Sequence, residues 1–274
     1  MAAGTPWLER IVRAKRAELE RARARAPQSV LEKRIAPRLP GTFRRALLDH
    51  GANQAGFAVI AELKQASPSK GTLCAQYKPA TIARSYARAG ARALSVLTDR
   101  EFFRGSLEHL REAKAAASLP VLRKDFTIAD YHLYEAAAAG ADAVLLIVAI
   151  LDPPELARLL ALSRTLGLDA LVEVHTEGEL QIALDAGADL VGVNNRDLKT
   201  FEVSLDTSFR LIERVPDAVV AVSESGLRTV EDVERLRAAG FDAFLIGERF
   251  MTEPDPGAAL ARLLSEVTAR AAVR

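Results

Sequence analysis

The chain has 274 residues, of which 49% are hydrophobic and 27% charged, and a net charge of +1. That is enough chain for one large barrel or two ordinary domains around a sizeable core. The near-zero charge excludes a global field for nucleic acid or a membrane surface, and 5% aromatic content leaves little for base-stacking platforms.

A single cysteine, Cys74, excludes an internal disulfide and suits a reducing compartment. The histidines His50, His109, His132 and His175 stand too far apart for metal-ligand spacing. The longest apolar run, Ala143 to Leu151, is too short to cross a bilayer. The N-terminus shows no apolar secretion segment, so the expected location is the cytoplasm.

Residues 7–26 predict a helix with a partial apolar stripe of Leu8, Ile11, Val12 and Leu19. Residues 1–50 hold twelve basic and five acidic residues. Because acids are interleaved with bases, a solvated helix face packed on the main domain fits better than a nucleic-acid arm. Pro27, Pro37 and Pro40-Gly41 then divide the chain, and Phe43 to Leu48 predicts one more short helix.

From residue 58 the texture changes. Eight short apolar runs follow, at 58–63, 93–97, 119–123, 142–148, 169–174, 189–194, 218–223 and 242–246, with helical patterns between them. Asp152 before Pro153-Pro154 predicts a capped helix start. Thr176 with Glu179, and Thr229 with Asp232, predict capping boxes. Strands alternating with helices imply parallel strands joined by crossover helices.

An internal repeat counts the units. Gly90, Gly140, Gly187 and Gly240 each follow an alanine at a predicted helix end and lead into a strand. Each of the three intervals between them holds two strands, and one more strand lies before Gly90 and one after Gly240, so the chain holds eight, the number that closes as a (β/α)8 barrel of the TIM type. An open doubly wound sheet is the alternative. It is disfavoured because no Gly-x-Gly-x-x-Gly follows the first strand. The expected organisation is one α/β barrel domain over residues 1–274, with residues 1–50 as extra N-terminal helices packed on it.

Most strands begin apolar and end polar. The ends read Glu62-Leu63-Lys64, Arg123-Lys124-Asp125, Glu173-Val174-His175, Asn194-Asn195-Arg196, Ser223-Glu224-Ser225 and Gly247-Glu248-Arg249. In a barrel these ends share one mouth, where barrel enzymes place their chemistry. A merely solvated rim is the plainer reading. Alternation, however, sets Leu122, Lys124 and Phe126 on one face, and pairs Glu62 with Lys64 and Asn194 with Arg196. A lysine beside apolar neighbours is expected to have a lowered pKa, which suits Lys124 to proton transfer.

Ser225-Gly226 after the seventh strand and Gly247-Glu248 after the eighth predict a phosphate site, since backbone N–H groups there can approach an anion. The segment Gln65 to Thr72, with Ser67, Pro68 and Gly71, suits a mobile flap over the mouth, although ordinary loop composition explains it as well.

Seven motifs in order then resemble one family. Ile60-Ala61-Glu62-Leu63-Lys64 with Ser67-Pro68-Ser69, Leu97-Thr98-Asp99 with Phe103 and Gly105-Ser106, Leu122-Arg123-Lys124-Asp125-Phe126, Leu171-Val172-Glu173-Val174, Gly192 to Leu198, Ser223-Glu224-Ser225-Gly226 and Leu245-Ile246-Gly247 are similar to the indole-3-glycerol phosphate synthases over about residues 7–265.

The resemblance implies closure of an indole ring on a small-molecule sugar phosphate, 1-(2-carboxyphenylamino)-1-deoxyribulose 5-phosphate, with loss of CO2 and water. It implies no cofactor. It casts Lys124 as general acid and Glu173 as base, with Glu62 orienting the lysines and substrate hydroxyls. Lys64 and Arg196 would hold the substrate carboxylate or phosphate, and Asn194, Ser225 and Ser67 would supply polar contacts. Phe103, Phe126 and Leu145 would wall the anthranilate ring, although ordinary core explains them nearly as well. Gly226, Gly247 and Glu248 would face the phosphate.

Glu248 stands where some members carry serine. Its backbone N–H is expected at the phosphate, with the side chain turned away. Gln65 also departs from the family, standing where a basic residue often follows the first-strand lysine. A Schiff-base aldolase using Lys124, a phosphoribosylanthranilate isomerase and a catalytically silent barrel are the rivals. The expected partners are a small molecule only, without nucleic acid or membrane, for a monomer or weak homodimer.

Overall fold

In the computed structural model, which describes residues 6–49, 56–198 and 200–271, eight parallel strands close into a barrel. They are β1 Ala58–Leu63, β2 Ala93–Leu97, β3 Val121–Lys124, β4 Ala143–Ile147, β5 Asp169–Val174, β6 Leu190–Asn194, β7 Val220–Glu224 and β8 Ala243–Ile246. Each pairs with the next in chain order, and β8 closes on β1 in the register Ala58↔Ala243 to Ala61↔Ile246. Closure excludes the doubly wound alternative. The third run starts at Val121 rather than at residue 119, because Pro120 has no N–H for the ladder.

Three helices precede the barrel: α1 Pro6–Arg25, α2 Gln28–Glu32 and α3 Thr42–Leu48. The others are α4 Pro79–Ala89, α5 Arg100–Phe103, α6 Leu107–Ala116, α7 Asp130–Ala139, α8 Pro153–Thr165, α9 Glu177–Asp185, α10 Asp206–Ile212, α11 Val230–Ala238, α12 Glu248–Met251 and α13 Pro256–Ala271. Asp152 and Thr176 accept N–H bonds at their helix starts. Thr229 and Asp232 form a full capping box. At Thr176 the box is incomplete, because the Glu179 side chain bonds the N–H of His175 instead.

The strand parity explains the core and the site together. Inward positions Ala58, Ile60, Leu122, Leu145, Leu171, Val220, Val222 and Leu245 fill the barrel interior, while the alternate positions pack against the outer helices. Helix α3 closes the N-terminal end by inserting Phe43 and Leu47 into that interior layer, both with no exposed surface. Its Arg44 N–H bonds Asp169 Oδ2 at 3.0 Å.

Helix α1 lies at the opposite end, where Trp7, Leu8 and Ile11 border the cavity at the mouth. Its buried stripe is Leu8, Ile11, Lys15, Leu19 and Ala22, so a lysine stands where an apolar residue is expected. The expectation that the charges of this segment are solvated is therefore corrected at Lys15. Lys15 Nζ lies 2.8 Å from Glu18, from Asp99 Oδ2 and from Asp125 Oδ1. His50 lies outside the described residues.

Candidate active site

The inward parity that packs the barrel continues for one more layer, where it delivers polar side chains. Glu62 on β1 follows Ile60, Lys124 on β3 follows Leu122, Glu173 on β5 follows Leu171, and Glu224 on β7 follows Val222. All four line one cavity of about 690 Å3, together with Lys64, Asn194 and Arg196. That volume is in the range of a drug-sized ligand. The cavity also takes in Ser67, Phe103, Phe126, Leu145, Ser225, Gly226, Gly247 and Glu248, so every residue expected at the site borders it.

Lys124 sits at the centre. Its Nζ lies 2.8 Å from Glu173 Oε2 and 2.7 Å from Glu224 Oε2. Burial alone would lower its pKa, which was the expectation from sequence. The charges of Glu173, Glu224 and Glu62 outweigh burial and raise it instead. Lys124 is therefore a fully charged ammonium at neutral pH. Glu173 is drawn below its ordinary value, because Lys124 and His175 more than offset its burial. Glu224 moves the other way, pushed up to about 7 by burial and by the charge of Glu173. One ammonium thus serves two buried carboxylates, and the second carboxylate holds a proton more readily than the first.

The partners of these groups hold their geometry. Asn194 Nδ2 donates to Glu173 Oε1 at 3.1 Å, and Asn194 Oδ1 accepts the Arg196 N–H at 3.0 Å. Lys64 Nζ lies 2.6 Å from Glu62 Oε1. Two glycines make room for the carboxylates. A Cβ at Gly192 would stand 2.2 Å from Glu224 Oε1, and one at Gly247 would stand 2.3 Å from Glu62 Oε1. Gly247 therefore serves Glu62 as well as the mouth, which spacing alone does not reveal.

Sequence reasoning assigned no role to Glu224, although the inward parity of Val220 and Val222 pointed to it. It also missed the α1 residues Trp7, Leu8 and Ile11. Nothing local marked those, because they reach the cavity only through helix docking.

Aromatic and charged side chains both border the cavity. The rings of Phe103 and Phe126 lie 6.3 Å apart, near Leu145. Ser225 and Gly226 both adopt positive φ, at 66° and 80°. Arg196, Lys70 and Glu248 meet, with Glu248 3.5 Å from Arg196 and 4.0 Å from Lys70. The expectation that the Glu248 side chain turns away is corrected: two cations face it and draw it inward. The segment after β1 forms a short antiparallel hairpin, with Ala66 opposite Thr72 and Ser67 opposite Gly71. Lys70 at its tip brings it to Glu248.

Taken together, these features define a class: a (β/α)8-barrel enzyme whose mouth holds a lysine between two buried carboxylates, in a cavity also bordered by aromatic side chains and an arginine. The model of the family described as indole-3-glycerol phosphate synthase matches residues 8–263. A protein of that name from Albidiferax ferrireducens is 51% identical over 263 residues, covering 95% of this chain and 99% of its own. One from Polaromonas sp. is 50% identical, covering 93% and 97%. A solved 3-hexulose-6-phosphate synthase superposes with a TM-score of 0.61 at 16% identity, covering 77% of this chain and 99% of that one. This last likeness shows the fold alone. The chain belongs to the indole-3-glycerol phosphate synthase family.

Proposed function

We propose that Lys124 is the general acid of this site, with Glu173 as the base and Asn194 as the group that orients it. The family's activity is that of a carbon–carbon carboxy-lyase in tryptophan biosynthesis. It converts 1-(2-carboxyphenylamino)-1-deoxyribulose 5-phosphate to indole-3-glycerol phosphate, CO2 and water. The observation that carries the residue roles is the position of the Lys124 ammonium between Glu173 and Glu224 on the cavity floor.

The first bond forms between the ring carbon bearing the carboxylate and the ketone carbon. The carbonyl electrons move to oxygen, which needs a proton. Lys124 supplies it, a contribution of about 10²–10⁴-fold. Because two carboxylates retain that proton in the resting site, transfer waits until the ketone oxygen takes on alkoxide character. The bond to the carboxylate then breaks, CO2 leaves, and its electron pair restores the aromatic ring. Dehydration follows. The new hydroxyl leaves as water with a proton from a lysine, Lys124 or Lys64, and Glu173 takes the proton from the carbon beside nitrogen.

Binding divides along the cavity. Phe103, Phe126 and Leu145 hold the anthranilate ring. Lys64 and Arg196 neutralise the carboxylate or phosphate, the arginine by a bidentate pair. Ser67 and Ser225 contact substrate oxygens. The backbone at Gly226, Gly247 and Glu248 takes the phosphate, and Glu62 steers Lys64. No cofactor enters this scheme. The single cysteine, Cys74, supports a cytoplasmic location, and the form inferred is a monomer or weak homodimer that acts on a small molecule.

The direct test is incubation with the carboxyphenylamino sugar phosphate while indole fluorescence is followed. The expected result is a signal that rises with one CO2 released per indole. Folded protein that yields neither would end the assignment.

A further inference from the structure

One more ionisable side chain is buried against the lysine–carboxylate centre. His175 lies just past β5, two residues after Glu173, so both project to the same side. Its Nδ1 stands 3.2 Å from Glu179 Oε2 on α9, and the same oxygen accepts the His175 backbone N–H at 2.7 Å. That double contact sets the ring plane and keeps a proton on Nδ1. The opposite nitrogen, Nε2, then faces Glu173 Oε1 at 3.5 Å. Nε2 is buried and has no hydrogen-bond partner among the described residues. A buried ring nitrogen aimed at a buried carboxylate, with its far side tied to a second carboxylate, is arranged to carry charge.

We propose that His175, clamped by Glu179, is a positioning residue that keeps Glu173 ionised and turned toward Lys124. The proposal rests on Glu173 being the base. The charged groups facing the ring are Glu173 on its own strand, Glu179 on α9 and Glu224 on β7, with Lys124 of β3 beyond Glu173. Burial works against an imidazolium. The bond to Glu179 and the three carboxylates outweigh it, so His175 stands above its ordinary 6.5. Glu173 shows the reciprocal effect. An opposite charge at this distance moves a carboxyl by about 1–3 pH units.

The test compares wild type, His175→Gln and Glu179→Gln between about pH 3.5 and 9, a range that takes in the low titration of Glu173, with melting curves confirming that each stays folded. In His175→Gln the acid limb of kcat/KM moves up by about one pH unit, and kcat falls about ten-fold near neutrality with KM little changed. Glu179→Gln moves the limb in the same direction by less. Ring 15N NMR of wild type shows His175 titrating above free imidazole, and Glu179→Gln lowers that midpoint. An unmoved acid limb in both variants, or a His175 ring that titrates as free imidazole, overturns the proposal. Glu173→Gln separates the two readings. Full turnover there removes the base assignment itself. Lost turnover there, with an unmoved limb in His175→Gln, removes only the role of His175.

Discussion

Lys15 Nζ, on the first helix, lies 2.8 Å from Asp125 Oδ1, the residue that follows the proposed acid. Asp125 also receives Arg123 at 3.1 Å and the Thr98 hydroxyl at 2.6 Å. Arg123 reaches on to Glu135 at 2.7 Å. Thr98 and Asp125 follow the ends of β2 and β3, Arg123 stands on β3 next to Lys124, and Glu135 is on α7. They pin the helix that carries Trp7, Leu8 and Ile11 to the strand that carries the acid. Burial would raise the Asp125 pKa, but Lys15 and Arg123 hold it well below the usual carboxylate range.

Lys15→Met breaks that link and leaves Asp99 and Asp125 buried with one cation fewer. Removing one partner of a buried pair costs about 3–5 kcal/mol. The expected outcome is a lower melting temperature and a raised KM as the α1 wall loosens. Thermal unfolding and steady-state kinetics of the variant check it. Unchanged stability would show that the network contributes nothing net.

Lys124→Ala removes the acid and should lower kcat by at least about 10²-fold. It also leaves Glu173 and Glu224 facing each other without their ammonium, so one of them takes up a proton at neutral pH. The variant is therefore expected to fold best at mildly acidic pH and to lose stability as pH rises. Turnover close to wild type would overturn the acid assignment.

Glu248→Gln frees Arg196 and Lys70 for an incoming anion. The pairs are long and partly exposed, worth about 0–1 kcal/mol. The expected result is a KM lower by up to about five-fold with kcat unchanged. A KM that rises instead would mean that Glu248 holds Arg196 in place for the substrate.

His132 reports on pH stability. It is buried, and its Nδ1 accepts the Ile128 N–H at 3.2 Å, as only a neutral imidazole does. Burial, with Arg123 next to it, lowers its pKa from 6.5 to about 3. The unfolded chain binds the extra proton below pH 6.5, so this stability is present above that value and is lost as pH falls toward about 3. At about pH 4.5 the loss is roughly 2–3 kcal/mol. Denaturant unfolding of wild type and His132→Asn from neutral to acid pH checks the slope, which should flatten in the variant.

Period-two alternation, glycine spacing and polar strand ends were enough to place the barrel and most of its site. Each is a local property of the chain. Gly90 and Gly140 show this directly: both end helices with positive φ, at 99° and 90°, as their spacing implied. The pKa of Lys124 was not local. Its apolar neighbours along β3 argued for a lowered value, whereas Glu173 and Glu224, 49 and 100 residues away in sequence, raise it. The burial of Lys15 was missed for the same reason, since Asp99 and Asp125 come from just past β2 and β3.

By itself, then, the amino-acid order determined the eight βα units, the inward face of each strand and the residue types at one mouth. Tertiary closure alone decided the charge states there, the partner of each ion and the docking of α1. Periodicity is written into neighbouring residues, whereas electrostatic energy depends on distances through space between groups that only the closed barrel brings together.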